Sequence, residues 1–162
     1  MTEIYGLPAH ILFVHFLVVL ALLTALPVIV CAVWPAARRR LVGPTLTLAA
    51  VTTALTPITT EAGEWLFDLR RSPSPILREH AERGGWMIYF SVALLVVAIA
   101  LAVLHVLERR SDKRRVATRA ILAILAVAVG ISSMIQVYRI GDAGSQSVWG
   151  GEIAKLKKAN PT

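Results

Sequence analysis

The sequence predicts an all-α integral membrane protein: an up-down-up-down four-helix bundle with an extramembrane loop between helices two and three. Three observations carry that prediction. The 162 residues are 56% hydrophobic and only 17% charged, with a mean hydropathy of +0.66, too apolar for a soluble domain of this length. Four stretches approach or exceed the roughly 20 residues that a hydrocarbon core of about 30 Å requires. The turns between the first and last pairs are short, which makes those neighbours antiparallel.

The first span is expected over 7–34, with no carboxylate, Lys or Arg inside it. Pro27 removes one backbone donor there and should kink the helix. The cluster Arg38, Arg39 and Arg40 ends this span. The second, over 41–60, is less apolar, but its Thr hydroxyls can bond back to their own helix carbonyls. Thr45, Thr52, Thr56 and Thr59 fall on one narrow stripe, which reads as helix packing before it reads as a polar passage. The loop that follows holds Ser72, Pro73, Ser74 and Pro75, and the Ser74-Pro75 pair can start a short helix. The groups around Trp65 and Ile76 suggest amphipathic pieces resting on the bilayer surface. The third span covers 85–107 and the fourth 120–140. On the fourth, Ser132, Gln136 and Arg139 share a face. Residues 1–150 form one domain, with a basic tail over 151–162.

Orientation follows from the loops. Three Arg lie between the first two spans, and six Lys or Arg lie between Glu108 and Arg119. The segment 61–83 instead mixes four Arg with five acids. The positive-inside bias therefore places both basic turns in the cytoplasm and both termini outside a cytoplasmic membrane. Tyr5, Trp65, Trp86, Tyr89, Tyr138 and Trp149 gather at the outer interface, against Trp34 at the inner one.

The net charge of +7 is explained by those clusters without a nucleic-acid partner. A single cysteine, Cys31, excludes an internal disulfide. No cleavable leader is expected, because the segment 1–10 carries Glu3 and no Lys or Arg. The lipid bilayer is the one partner that composition implies; a neighbouring membrane subunit or a second copy stays open.

Most ionisable residues at the rim of the spans fall at one end, the end of His10, His15, Glu61, Glu64, His80, Arg139 and Asp142. Such residues are costly in a bilayer unless they pair, ligate or face water, so their convergence is a candidate site. His10 and His15 are about 140° apart around a helix, so one face cannot present both. His15 has a bland alternative, a bond to a Thr or a carbonyl. Glu61 and Glu64 share a face if the second helix continues through Gly63. Carboxylates with imidazoles suit a transition metal or a proton relay. Arg139 could simply neutralise one acid. Two imidazoles at matching depth would suit haem b, and His10 with His80 matches better than His15 with His80. Gly84 and Gly85, after His80, allow close approach of a flat ligand or another helix. His105 lies at the other end and stands apart.

The runs Gly6-Leu7-Pro8-Ala9-His10, Val14-His15-Phe16, Thr60-Glu61-Ala62-Gly63-Glu64, Glu79-His80-Ala81-Glu82 and Arg139-Ile140-Gly141-Asp142-Ala143-Gly144, with Ser147-Val148-Trp149-Gly150, carry a resemblance. Together they are similar to the bacterial membrane family filed as domain of unknown function 2231. The resemblance covers nearly the whole chain. It implies a small four-span domain, attached in some relatives to cytochrome-type modules, with no settled activity. The family usually has Pro where this chain has Ile11, and often His where it has Asp142.

The expected function is accordingly a haem b or transition-metal site at the outer end, serving electron transfer. His10, His15 and His80 are the candidate cofactor ligands; Glu61, Glu64 and Asp142 join them in a metal reading or orient the imidazoles. The alternatives are a proton- or solute-conducting protein and a non-catalytic accessory subunit of a membrane complex. No nucleophile motif or phosphate loop supports a hydrolase or transferase.

Overall fold

The computed structural model describes residues 3–4, 7–110 and 115–159. A two-residue antiparallel pair, Glu3–Ile4 with Leu7–Pro8, precedes five helices: α1 (Ala9–Val33), α2 (Pro35–Asp68), α3 (Pro75–Gly85), α4 (Met87–Arg110) and α5 (Val116–Ala159). Tyr5, expected in the aromatic belt, lies outside the described residues. Four candidate spans are long and apolar enough to cross a membrane, with α3 and α4 together making the third. The predicted bundle is therefore the observed architecture. In cross-section α1 packs on α2 and α5, and α4 packs on the same two. Helices α2 and α5 occupy opposite corners.

Inward and outward faces of α1 are both apolar and differ in size and shape instead. Phe16, Val19, Leu23 and Leu26 are exposed at helical spacing, while Ala21, Thr24, Ala25, Val28 and Cys31 are buried. In lipid, apolarity drives nothing between helices; small inward residues win because they let backbones approach and gain dispersion contacts. On α4 the small Ser91 and Ala98 do the same, between the larger buried Leu94 and Leu101. Ala25, Val28, Leu94, Val97, Leu101 and Ala126 meet in one core cluster, and Ala21, Met87, Val137 and Ile140 in a second nearer the histidine end.

Helix boundaries depart from the sequence expectation in three places. The turn between α1 and α2 is Trp34 alone, extended at φ −123° and ψ 97°. A residue before proline is pushed out of the α region, and Pro35 at the first helical position restarts a helix at once. Arg38, Arg39 and Arg40 thus sit on α2 rather than in a loop. Helix α2 also runs past Thr60 to Asp68, and α5 runs past Ile140 to Ala159, so the basic tail is helical through Ala159. The expected short helix after Ser74 is α3, with Ser74 Oγ accepting from the Leu77 amide at 3.3 Å. None of its residues is fully buried.

Candidate functional site

His10 opens α1 and His80 lies in the second turn of α3, and the fold brings them together. Their rings are 6.2 Å apart, centroid to centroid, inclined at 78°. His10 Nδ1 lies 3.0 Å from the Thr59 carbonyl on α2, and His80 Nδ1 lies 3.0 Å from the Ile140 carbonyl on α5. A carbonyl only accepts, so each Nδ1 carries the donating proton. The Nε2 of each neutral ring then keeps its lone pair. The two tethers reach opposite corners of the bundle, and both rings line one cleft.

Two glycines back the rings. A Cβ at Gly63 would sit 2.8 Å from His10 Cε1 and 2.9 Å from its Nδ1. A Cβ at Gly144 would sit 2.9 Å from His80 Cε1 and 3.1 Å from its Nδ1. Each imidazole therefore lies flush against helix backbone that any other residue would obstruct. Gly84 and Gly85, singled out from the sequence for close approach, have no atom within 4 Å of a hypothetical Cβ. Gly84 still lines the cleft.

The remaining walls of the cleft are mostly apolar, with Val14, Leu17 and Val18 of α1, Met87 of α4, and Val137 and Ile140 of α5, beside Thr59 and Thr60 of α2. Its enclosed volume is about 50 Å³, room for a few waters at roughly 10–15 Å³ each. With its open mouth the empty space is about 470 Å³.

The other candidates from the sequence do not join the pair. His15 donates Nδ1–H to Ile11 O of its own helix at 2.7 Å, on an exposed face. Glu61 and Glu64 do share a continuing helix, but both are exposed. Asp142 is exposed and accepts from Gln146 Nε2 at 3.0 Å. Among the described residues, no group of three or more His, Cys, Asp or Glu side chains is arranged to hold a metal ion. Arg139 does not neutralise an acid among the described ion pairs; its carbonyl accepts from Arg83 at 3.2 Å. Arg83 also pairs with Glu79, and Gln136 Nε2 donates to the Arg83 carbonyl at 2.8 Å. Those bonds, with the His80 tether, hang α3 on α5.

The Thr stripe is packing. Thr45, Thr52, Thr56 and Thr59 are buried, and each hydroxyl reaches the carbonyl four residues back. Thr52 also meets Thr24 of α1 at 2.9 Å.

Sequence reasoning missed the polar cluster at the opposite end. Arg38 is 1% exposed and lies 2.6 Å from Glu108, whose other oxygen is held by Arg119. Arg38 Nη1 also reaches the Cys31 carbonyl at 3.4 Å. The signal was available: Arg38 extends the seven-residue spacing of Thr45, Thr52 and Thr59 by one step. Gly63 follows Thr59 at i+4 on the same face. His105 is half-buried on α4 at this arginine end.

A family model described as "Predicted membrane protein (DUF2231)" matches residues 6–157. The chain belongs to this family. The DUF2231 match takes in His10, Gly63, His80 and Gly144, so the whole imidazole pair and its glycine backing lie inside it. No curated protein and no solved structure matches the chain.

Proposed function

We propose that the protein is a membrane electron-transfer component that binds haem b between His10 and His80, with the histidine end facing away from the cytoplasm. The observation that carries this reading is the ring pair. Two imidazoles that would share one metal through bonds of about 2 Å can have ring centres up to about 6 Å apart. The observed separation is 6.2 Å. Both Nδ1–H groups are anchored to backbone carbonyls, the arrangement that fixes tautomer and raises ligand basicity in metal-bound histidines.

The donor set favours haem over a bare ion. A site that holds a metal ion by protein alone uses three or four ligands, and among the described residues only two such side chains converge. A haem would need only two ligands from the protein, and His10 and His80 would supply them. The mostly apolar walls suit an apolar macrocycle. When bound, the group would supply one-electron chemistry. Its position near one end of the bundle suits exchange with a partner at that membrane surface.

Conduction finds less support. Between the histidine cleft and the Arg38 cluster the interior is the apolar core of Ala25, Val28, Leu94 and Leu101, and the Thr hydroxyls are bonded to their own helices.

The test is an absorption spectrum of protein purified from cells supplied with haem precursor, with reduced-minus-oxidised difference bands. The proposal expects a Soret band at one haem per chain, abolished by His10→Ala and by His80→Ala and retained in His15→Ala. Haem-free protein after such expression, or a band that survives both substitutions, would overturn it.

A further inference from the structure

We propose that the arginine end of the bundle carries a site for an anionic phospholipid, with an acyl chain in the groove between α4 and α5 and the phosphate held by Arg110 and Arg115. The groove is open-sided and encloses about 380 Å³. Its walls include Val103, Leu104 and Leu107 of α4 and Thr118, Ile121 and Leu122 of α5. Val103 is 52% exposed and Ile121 59%, so the groove opens on the surface that lipid tails cover.

The charge sits where a headgroup would. Arg110 is three residues beyond Leu107, and Arg115 three residues before Thr118, so each continues a groove-lining row by one helical turn. The first amides of α5, which starts at Val116, lack carbonyl partners within their helix and favour an anion at the same level. Of the nearby carboxylates, Glu108 binds Arg38 and Arg119, while Asp112 lies outside the described residues. Among the described ion pairs neither Arg110 nor Arg115 has a partner, and Arg115 Nε is buried without a hydrogen bond. An apolar channel below two guanidinium groups matches a phosphodiester on a hydrocarbon tail. Phosphatidylcholine has the same tail and phosphate, but its choline cation meets the same arginines with like charge.

The experiment is native mass spectrometry of the full chain released from micelles holding equal phosphatidylglycerol and phosphatidylcholine of matched acyl chains. We expect phosphatidylglycerol to be retained preferentially, by about tenfold or more. Arg110→Gln and Arg115→Gln should each reduce the preference about fivefold, while Arg39→Gln with Arg40→Gln should leave it unchanged. Val103→Trp, on the lipid face, fills the groove without touching the core and should lower retention of both lipids. Equal retention of the two lipids by the unaltered chain would overturn the proposal. So would an equal loss in the Arg39/Arg40 control, which would mean a diffuse basic surface, or unchanged retention in Val103→Trp.

Discussion

The imidazole of His80 stands edge-on to that of His10 at 6.2 Å, and each ring is tied to a carbonyl of a different helix. His10 answers to Thr59 on α2 and His80 to Ile140 on α5. The pair therefore reports the relative placement of four helices, α1, α2, α3 and α5. A change at any of these supports should be felt at the rings.

Gly63 and Gly144 are the sharpest such supports. Gly63→Ala and Gly144→Ala should each force a ring off its carbonyl, because the added methyl would fall within about 3 Å of it. Alanine gains roughly 1 kcal/mol of helix propensity over glycine, while overpacking costs about 1–3 kcal/mol. The expected result is a melting temperature that is unchanged or lower by several degrees and, on the haem reading proposed above, weakened haem retention. Gly84→Ala, where a methyl meets nothing, should be neutral or stabilising and keep the haem. Thermal melts paired with Soret absorbance check all three.

The four spans were legible because length and apolarity need no knowledge of tertiary contacts. The depth match of His10 with His80 was legible for a related reason: both lie just outside an apolar run at the same end. The metal grouping expected from the sequence does not assemble among the described residues, because end-of-bundle position says nothing about helix phase. Glu61 and Glu64 flank the buried Ala62 and the inward Gly63, so the phase that turns Gly63 to His10 turns both carboxylates outward. His15 is lost to the pair for the same reason, being five residues from His10 on one helix. Arg38 was hidden by the expectation that a basic triplet marks a loop. Only the early helix start at Pro35 gives it a phase, and that phase points inward.

The Arg38–Glu108 pair should respond asymmetrically to mutation. Glu108→Gln leaves a guanidinium that is 1% exposed without its counter-charge. Breaking a buried pair from one side costs about 3–5 kcal/mol. Arg38→Met removes the buried charge itself, fills similar space and leaves Glu108 with Arg119. It should cost less than Glu108→Gln and could be neutral. Melting of the two variants in the same detergent tests this ordering, and a milder Glu108→Gln would contradict it.

Thr24 and Thr52 touch across α1 and α2 at 2.9 Å. Each hydroxyl has one proton, so one bonds backward along its helix and the other donates across the interface. Interhelical hydrogen bonds in membrane bundles contribute about 0.6 kcal/mol on average. Thr24→Val with Thr52→Val should therefore show a coupling of that order in a double-mutant cycle. If the stripe conducted protons instead, the double variant would abolish proton flux in liposomes; the packing reading expects flux indistinguishable from protein-free vesicles in both.

Helix α3 has no fully buried residue and reaches α5 through polar bonds: His80 to Ile140, Arg83 to Arg139 and Gln136 to Arg83. A helix held this way opens locally more readily than the core spans, because it has little buried surface to lose. Gln136→Leu removes the shortest of the three bonds and leaves the Arg83 carbonyl without that donor, a change of about 1–3 kcal/mol where the group stays dry. Amide exchange over 75–85 should then quicken by one to two orders of magnitude, roughly the factor that free energy implies. Exchange in the middle of α4 should not change. Since His80 travels with α3, the haem reading proposed above expects haem to dissociate faster from Gln136→Leu than from the unaltered protein. Faster exchange confined to α3 together with faster haem loss would identify α3 as the element that admits the cofactor; faster exchange spread through α4 and α5 would instead make Gln136 a support of the whole bundle.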